Sequence, residues 1–206
     1  IKKDLSILKK INPPHVSIYN MTLEKRTVFY KLFKNNKMSL PSEKSVLDQY
    51  YLILNELERL GYENYEISNY ARNNFHSKHN SNYWNNIEYI GYGPSAHSYD
   101  KMYRYWNVSD NKEYIRLINK GKKVYEKEKL TKTEKLNEYI LTRIRTKRGI
   151  DQKELLKTFN IDFFKEKEKE LNLFKKKKLL TITNSMISLT RKGKIVSDSI
   201  TEKIIY

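Results

Sequence analysis

Four histidines are present in this sequence, and two of them lie between residues 76 and 84. His79 begins the block His79-Asn80-Ser81-Asn82-Tyr83-Trp84, in which one helical turn would place His79 and Tyr83 on the same face. A neutral imidazole is a good ligand for haem iron, and flanking aromatic rings can cover a flat porphyrin. A structural interpretation is also open, with Tyr83 and Trp84 as core anchors and His79 bonded to a backbone carbonyl, and the residues alone favour it.

Two other arrangements resemble ligand sites. His76 and His79 are three residues apart, but no carboxylate or cysteine follows at ligand spacing, so we do not interpret the pair as a metal site. The loop Gly91-x-Gly93-x-x-Ala96 matches a loose dinucleotide fingerprint, yet it contains a proline and lacks a βαβ context, which excludes that function. Its glycines indicate a close backbone approach, either to a ligand or to a neighbouring strand.

A further set of polar residues follows the first two predicted strands. Its members are Thr22, Glu24, Arg26, Glu66, Ser68 and Asn69. At adjacent strand ends such side chains can form the floor of a pocket, or they can cap the loops, and the sequence leaves both interpretations open. No Ser/His/Asp or Cys/His arrangement can be assembled with any specificity.

The elements that would position these residues have an α/β pattern. Residues 1–11 read as a helix, stopped by Asn12-Pro13-Pro14, and residues 15–21 alternate as a strand. Ser42 is a candidate N-cap for a helix that Gly61 closes, and strands are predicted at 62–67 and 89–92. Ligand contacts in α/β proteins follow such strands, so the loop after residue 92 is a candidate site.

The pattern changes in the second half of the chain. Thr131 and Glu134 form a capping box, and two further helices are predicted, from Asp151 and over 162–177. A hairpin with its turn at Asn184-Ser185 and a last helix complete a mostly helical, winged-helix-like module. We therefore predict two domains, over residues 1–125 and 126–206.

Composition limits the classes of function. The chain has 206 residues, no cysteine and a formal charge of +17, and most of the excess charge falls after residue 107. The lack of cysteine excludes disulfides, thiolate zinc sites and cysteine-held iron–sulfur clusters within these residues. No apolar run is long enough for a membrane helix, so we expect a cytoplasmic protein without a membrane span. The charge suggests one alternative function, a winged-helix nucleic-acid-binding protein, although lysine exceeds arginine and a codon-driven drift explains the excess better.

Six ordered blocks resemble one known family. They are Tyr19-x-x-Thr22-x-Glu24, Pro41-x-x-x-x-x-Leu47, Gly61-Tyr62-Glu63-x-Tyr65-Glu66-Ile67-Ser68-Asn69-Tyr70-Ala71, His79-Asn80-x-x-Tyr83-Trp84, Tyr89-x-Gly91-x-Gly93-Pro94-Ser95-Ala96-His97-Ser98 and Arg104-x-x-Asn107. They resemble the oxygen-independent coproporphyrinogen III oxidase-like radical SAM proteins, and specifically the HemW haem-chaperone branch. The resemblance covers nearly the whole chain.

The resemblance implies a fold and a set of cofactors. The expected fold is the C-terminal part of a partial (β/α) radical SAM barrel, followed by the helical domain. The expected cofactors are haem, S-adenosylmethionine and a [4Fe–4S] cluster. His79, Tyr83 and Trp84 correspond to the proposed haem motif, with His79 as the iron ligand, and Thr22 and His97 fall near positions that line the S-adenosylmethionine pocket.

The sequence departs from the family in one respect. The Cys-x-x-x-Cys-x-x-Cys motif that holds the cluster is absent. We therefore expect a fragment that acts in haem or porphyrin metabolism by binding haem, and the residues leave open whether it is an enzyme. Expected partners are the missing N-terminal barrel half and haem-acceptor proteins, with no nucleic acid. Because a severed barrel exposes a strand edge, we expect residues 1–107 to aggregate without that half.

Overall fold

The computed structural model describes all residues from 1 to 206 and contains eleven helices and nine strands. The helices are α1 (Lys2–Ile11), α2 (Val28–Lys34), α3 (Glu43–Arg59), α4 (Lys78–Trp84), α5 (Asn111–Asn119), α6 (Lys132–Ile144), α7 (Gln152–Phe159), α8 (Phe163–Glu166), α9 (Glu168–Lys176), α10 (Arg191–Ile195) and α11 (Ser197–Ile204). The strands are β1 (His15–Ser17), β2 (Glu63–Asn64), β3 (Asn69–Ala71), β4 (His97–Tyr99), β5 (Tyr103–Asn107), β6 (Tyr125–Lys129), β7 (Ile150–Asp151), β8 (Leu180–Thr183) and β9 (Met186–Leu189).

The strands form three separate sheets of three strands each. Their orders are β1-β3-β2, β4-β5-β6 and β7-β9-β8, and every pair is antiparallel. In each sheet the middle strand therefore pairs on both sides. The chain divides into two compact units, residues 1–76 and 77–206.

The first unit is built around α3. Ser42 caps this helix by accepting a hydrogen bond from the Ser45 N–H at 3.2 Å, and Gly61 follows its end with a φ of +83°. Both predictions of the ends of this helix are confirmed. The apolar face of α3 buries Leu54 and Leu57 in a small core with Tyr62 and Tyr70.

The second unit contains α6, which has five buried residues and the predicted capping box between Thr131 and Glu134. The predicted hairpin is also confirmed, with β8 and β9 paired around the turn at Asn184. The predicted helix over 162–177 is wrong in one detail, because it divides into α8 and α9 at Lys167, whose φ and ψ of −111° and 24° interrupt the helix.

Other predictions of strands differ from the structure. The strand β3 lies beyond the strand predicted at 62–67, and it forms the centre of the first sheet. The strand predicted over 89–92 is a single bridge between Tyr89 and Tyr99, because the chain turns away at the glycine loop. The predicted boundary at 125/126 lies within β6, in the second unit, and stays a prediction. No helix has the length and apolar character needed to cross a membrane.

Candidate functional site

The His79 block forms the short helix α4, as the sequence predicted. Its N-cap is Ser77, whose hydroxyl accepts a hydrogen bond from the Asn80 N–H at 3.2 Å. The i, i+4 spacing places the rings of His79 and Tyr83 together, with centroids 4.8 Å apart and an interplanar angle of 86°. The edge of one ring thus faces the other.

A row of tyrosine rings continues from this pair. Tyr83 lies edge-on to Tyr89 with centroids 4.7 Å apart, and Tyr89 lies beside Tyr99 at 6.1 Å. The backbones of Tyr89 and Tyr99 exchange two hydrogen bonds, of 3.0 and 2.9 Å. Burial raises the pKa of both Tyr89 and Tyr99, which adds to the ordinary preference of a phenol for the neutral form. The row provides an uncharged aromatic support behind Tyr83.

The exposed imidazole of His79 is available to a ligand. Its ring nitrogens make no hydrogen bond in the structure, so the alternative role of bonding a backbone carbonyl is absent. Tyr83 is 38% exposed, and Trp84 is half-buried, with its Nε1 atom buried and without an acceptor. A free imidazole beside a partly exposed aromatic ring fits the chemistry of an iron porphyrin. The roles of His79, Tyr83 and Trp84 toward haem stay a prediction.

The C-terminal end of α4 is held by a residue from α6. Nη1 of Arg143 donates a hydrogen bond to Oδ1 of Asn85, the C-cap residue, at 2.5 Å. Arg143 itself lies 3.8 Å from a carboxylate oxygen of Glu154 and over the ring of Tyr139. The Tyr139 hydroxyl donates to Glu154 at 3.0 Å. Asn85 and Arg143 are 58 residues apart and carry no local pattern, so neither could be identified from the sequence.

A second contact joins α6 to the sheet that contains Tyr99. Arg104 on β5 forms an ion pair with Glu138 on α6. Burial raises the pKa of Glu138, while the neighbouring guanidinium of Arg104 acts in the opposite direction. The pair thus places a half-buried carboxyl and its counter-charge between α6 and β5.

The glycine loop packs against its own neighbouring strand. A Cβ atom built on Gly91 would lie 2.1 Å from the carbonyl oxygen of His97, so the close approach is to β4. The side chain of Asn107 donates to the Gly93 carbonyl at 2.9 Å and further fixes the loop. A strand rather than a helix follows, which agrees with the exclusion of a dinucleotide site.

The polar residues near the first two strands have different surroundings. Thr22 is exposed, and its hydroxyl lies 3.5 Å from a carboxylate oxygen of Glu24. Glu66 is buried and accepts hydrogen bonds from the side chain of Asn69 and from the Ser68 N–H. The Glu66 group therefore braces the turn between β2 and β3, as in the loop-capping interpretation.

The residues predicted for S-adenosylmethionine belong to different units. Thr22 lies in the first unit and the exposed His97 lies on β4 in the second. Their role in an S-adenosylmethionine pocket stays a prediction. No group of three or more His, Cys, Asp or Glu residues could hold a metal ion, and His76 stacks on Tyr65 instead. Without cysteine, the residues of this chain do not fit a [4Fe–4S] cluster.

Comparisons with known proteins agree on one family. The family model described as the HemN C-terminal domain matches residues 130–196. The chain is 31% identical over 205 residues to the haem chaperone HemW of Lactococcus lactis, covering 100% of this chain and 54% of that protein. It is 28% identical to HemW of Bacillus subtilis over 97% of this chain and 53% of that protein. The chain belongs to the coproporphyrinogen III oxidase-like radical SAM family, in its HemW branch.

The fold of this HemW-branch chain also has a solved counterpart. Coproporphyrinogen III oxidase (HemN) from Escherichia coli, described as a radical SAM enzyme, matches with a TM-score of 0.75 at 17% identity. The match covers 99% of this chain and 50% of that protein, which confirms the predicted fold class. The chain spans about half the length of the curated relatives it matches.

Proposed function

We propose that this chain binds haem through His79 and forms the tetrapyrrole-binding part of a haem chaperone of the HemW branch. The observation that carries the proposal is the exposed imidazole of His79, which is free of hydrogen bonds and set edge-on to Tyr83. The naming of the Lactococcus lactis and Bacillus subtilis relatives as haem chaperones supports it. Haem is the cargo in this function.

Each residue of the block has a distinct part in the proposal. A nitrogen of His79 ligates the haem iron, and the ring of Tyr83 contacts the porphyrin face or edge beside it. Trp84 anchors the helix on its other side, since it is half-buried. The rings of Tyr89 and Tyr99 continue the aromatic surface from Tyr83.

Chemistry that depends on the [4Fe–4S] cluster requires a partner in this proposal. The residues here cannot hold the [4Fe–4S] cluster, so a cysteine-bearing N-terminal half is the partner that would supply it. Thr22 and His97 are our candidates for contacts to S-adenosylmethionine bound with that half. Proteins that accept haem are the proposed second class of partner.

The nucleic-acid alternative gains no support. The helix α9 occupies the position of a recognition helix, but its sequence starts Glu168-Lys169-Glu170 and mixes both signs of charge. Such a helix suits a solvated face better than a phosphate backbone. The relatives described above are haem and porphyrin proteins.

Haem titration followed by Soret absorbance tests the proposal. We expect His79→Ala to weaken haem affinity about tenfold or more and to remove the spectral features of a histidine-ligated iron. The control His76→Ala removes a histidine three positions away, whose ring stacks on Tyr65, and should leave affinity and spectrum unchanged. Equal affinity and equal spectra for His79→Ala and the unmodified chain would overturn the proposal.

A further inference from the structure

We propose that Arg143 is the positioning residue of the haem site, since it holds α4 and thereby sets the direction of His79. The effect of Arg143 on haem binding rests on the proposed function, in which His79 ligates the haem iron. Arg143 lies within residues 130–196, the region that matches the HemN C-terminal domain. The inference therefore gives this region a role in haem binding.

The helix α4 cannot hold its own geometry. It has seven residues, and isolated helices shorter than about 12–15 residues are marginal in water. No residue of α4 is fully buried, and the packing of its side chains consists of Tyr83 against Tyr89 and the half-buried Trp84. The direction of His79 therefore depends on contacts that other elements make with the helix.

The contact from Arg143 reaches the residue that closes the helix. The Asn85 N–H donates to the Ser81 carbonyl at 2.9 Å, which completes the last turn of α4. The Asn85 side chain accepts the hydrogen bond from Arg143 at 2.5 Å. A hydrogen bond to a charged donor contributes about twice as much as a neutral one. Arg143 thus tethers α4 to α6 at the C-terminal end, opposite the Ser77 cap.

The buried guanidinium of Arg143 is unusual for a contact that only stabilises the fold. Arg143 is 7% exposed, its Nε has no acceptor, and the Glu154 carboxylate is 3.8 Å away. Replacing a whole buried ion pair with well-packed apolar groups is often neutral or stabilising, whereas removing one partner is destabilising, so a buried ion pair is by itself weak evidence for a stabilising role. A geometric function, namely the bond to Asn85 on α4, accounts for it.

The test compares matched variants of the 206-residue chain. Arg143→Met keeps the volume of the side chain and removes the donor, while Asn85→Ala removes the acceptor and leaves the arginine with Tyr139 and Glu154. Arg148→Met is the control, because Arg148 is exposed and also lies 3.5 Å from Glu154 but does not contact α4. Arg143→Lys serves as the conservative replacement, since it retains the charge with a single donor group.

Two measurements are made on each variant. Haem titration should show about tenfold weaker binding and a loss of the histidine-ligated spectrum for Arg143→Met and for Asn85→Ala. The double variant should be no weaker than either single one, because both remove the same contact. Arg143→Lys should recover part of the affinity, and Arg148→Met should match the unmodified chain. Hydrogen exchange of the haem-free chain should be faster over residues 81–85 in the first two variants.

The outcomes separate this inference from the proposed function. Unchanged exchange at 81–85 together with unchanged haem affinity in Arg143→Met would overturn the positioning role. If Arg143→Met does not fold, Asn85→Ala decides by the same two measurements. Faster exchange at 81–85 would support the tether even if His79→Ala bound haem normally, an outcome that would overturn only the proposed function.

Discussion

A methyl group at position 91 would collide with the backbone of β4. The backbone of Gly91 is not in the left-handed region, so close contacts, chiefly with the His97 carbonyl and also with the Cβ of Ala96, exclude a side chain there. We expect Gly91→Ala to reduce the free energy of unfolding of the second unit by about 1–3 kcal/mol, as overpacking does elsewhere. Urea unfolding followed by tryptophan fluorescence measures this, because Trp84 and Trp106 both lie in that unit.

The control for this prediction is Gly121→Asn. Gly121 has a φ of +62°, and no heavy atom lies within 4 Å of a Cβ built on it. Asparagine tolerates the left-handed region, so Gly121→Asn should reduce the free energy of unfolding by less than about 1 kcal/mol. Equal losses of stability in Gly91→Ala and Gly121→Asn would contradict the explanation that a side chain at position 91 collides with His97.

The site could be predicted from sequence only where its contacts are local. The spacing of His79 and Tyr83 predicted their shared face, and the rings indeed lie 4.8 Å apart. The tether from Arg143 to Asn85 could not be predicted, because their separation of 58 residues depends on how α6 packs. The glycine at 91 indicated a close approach, but its partner, the carbonyl of His97, became identifiable only in three dimensions.

The capping box at the start of α6 both predicts where this helix begins and stabilises its first turn. The Thr131 hydroxyl accepts from the Glu134 N–H at 3.2 Å and donates to the Glu134 carboxylate at 2.7 Å. Removing such an N-cap costs about 1 kcal/mol. We therefore expect Thr131→Ala to lower the stability of the second unit by about that amount at pH 7, as measured by urea unfolding.

The cost of Thr131→Ala should depend on pH. Hydrogen bonds from the backbone and side chain of Thr131 lower the pKa of Glu134 below its usual 4.5. A lowered pKa in the folded state gives stability that is present above pH 4.5 and lost as the pH falls through the folded value. The difference between Thr131→Ala and the unmodified chain should thus shrink in acid. In the Glu134→Gln background, the stability cost of Thr131→Ala should not change over the same acid range.

Elements defined by local signals were predictable, whereas those defined by pairing were not. The helices α3 and α6 carry caps and an apolar face, and both were predicted. Every residue of β5 is half-buried, so its sequence lacks the alternation of a strand with one solvated face. All five residues of β6 are exposed and four of them are charged, which gives no strand signal at all. Pairing between strands defines them, since β5 pairs with both β4 and β6.

Burial is unevenly distributed along the whole molecule. The first buried residue along the chain is Leu54, although the preceding residues include many large apolar side chains. Exposed members of this group are Ile1, Ile7, Ile11, Tyr19, Met21, Val28, Phe29, Phe33, Leu40 and Leu47. The sheet of the first unit also has two unpaired edges, on β1 and β2. Exposed apolar surface and open strand edges both favour association with another chain.

We therefore expect the 206-residue chain to self-associate as its concentration rises, and substitution of exposed apolar residues in the first unit to reduce this. Val28 and Phe29 are 72% and 55% exposed at the start of α2, so Val28→Ser with Phe29→Ser removes apolar surface without opening a core. Sedimentation velocity over a concentration series should show a larger monomer fraction. Ile115→Ser with Ile118→Ser is the matched control on α5 of the second unit, where the effect should be smaller. A chain that stays monomeric at every concentration would contradict the expectation, because the exposed surface of residues 1–53 would then need no partner.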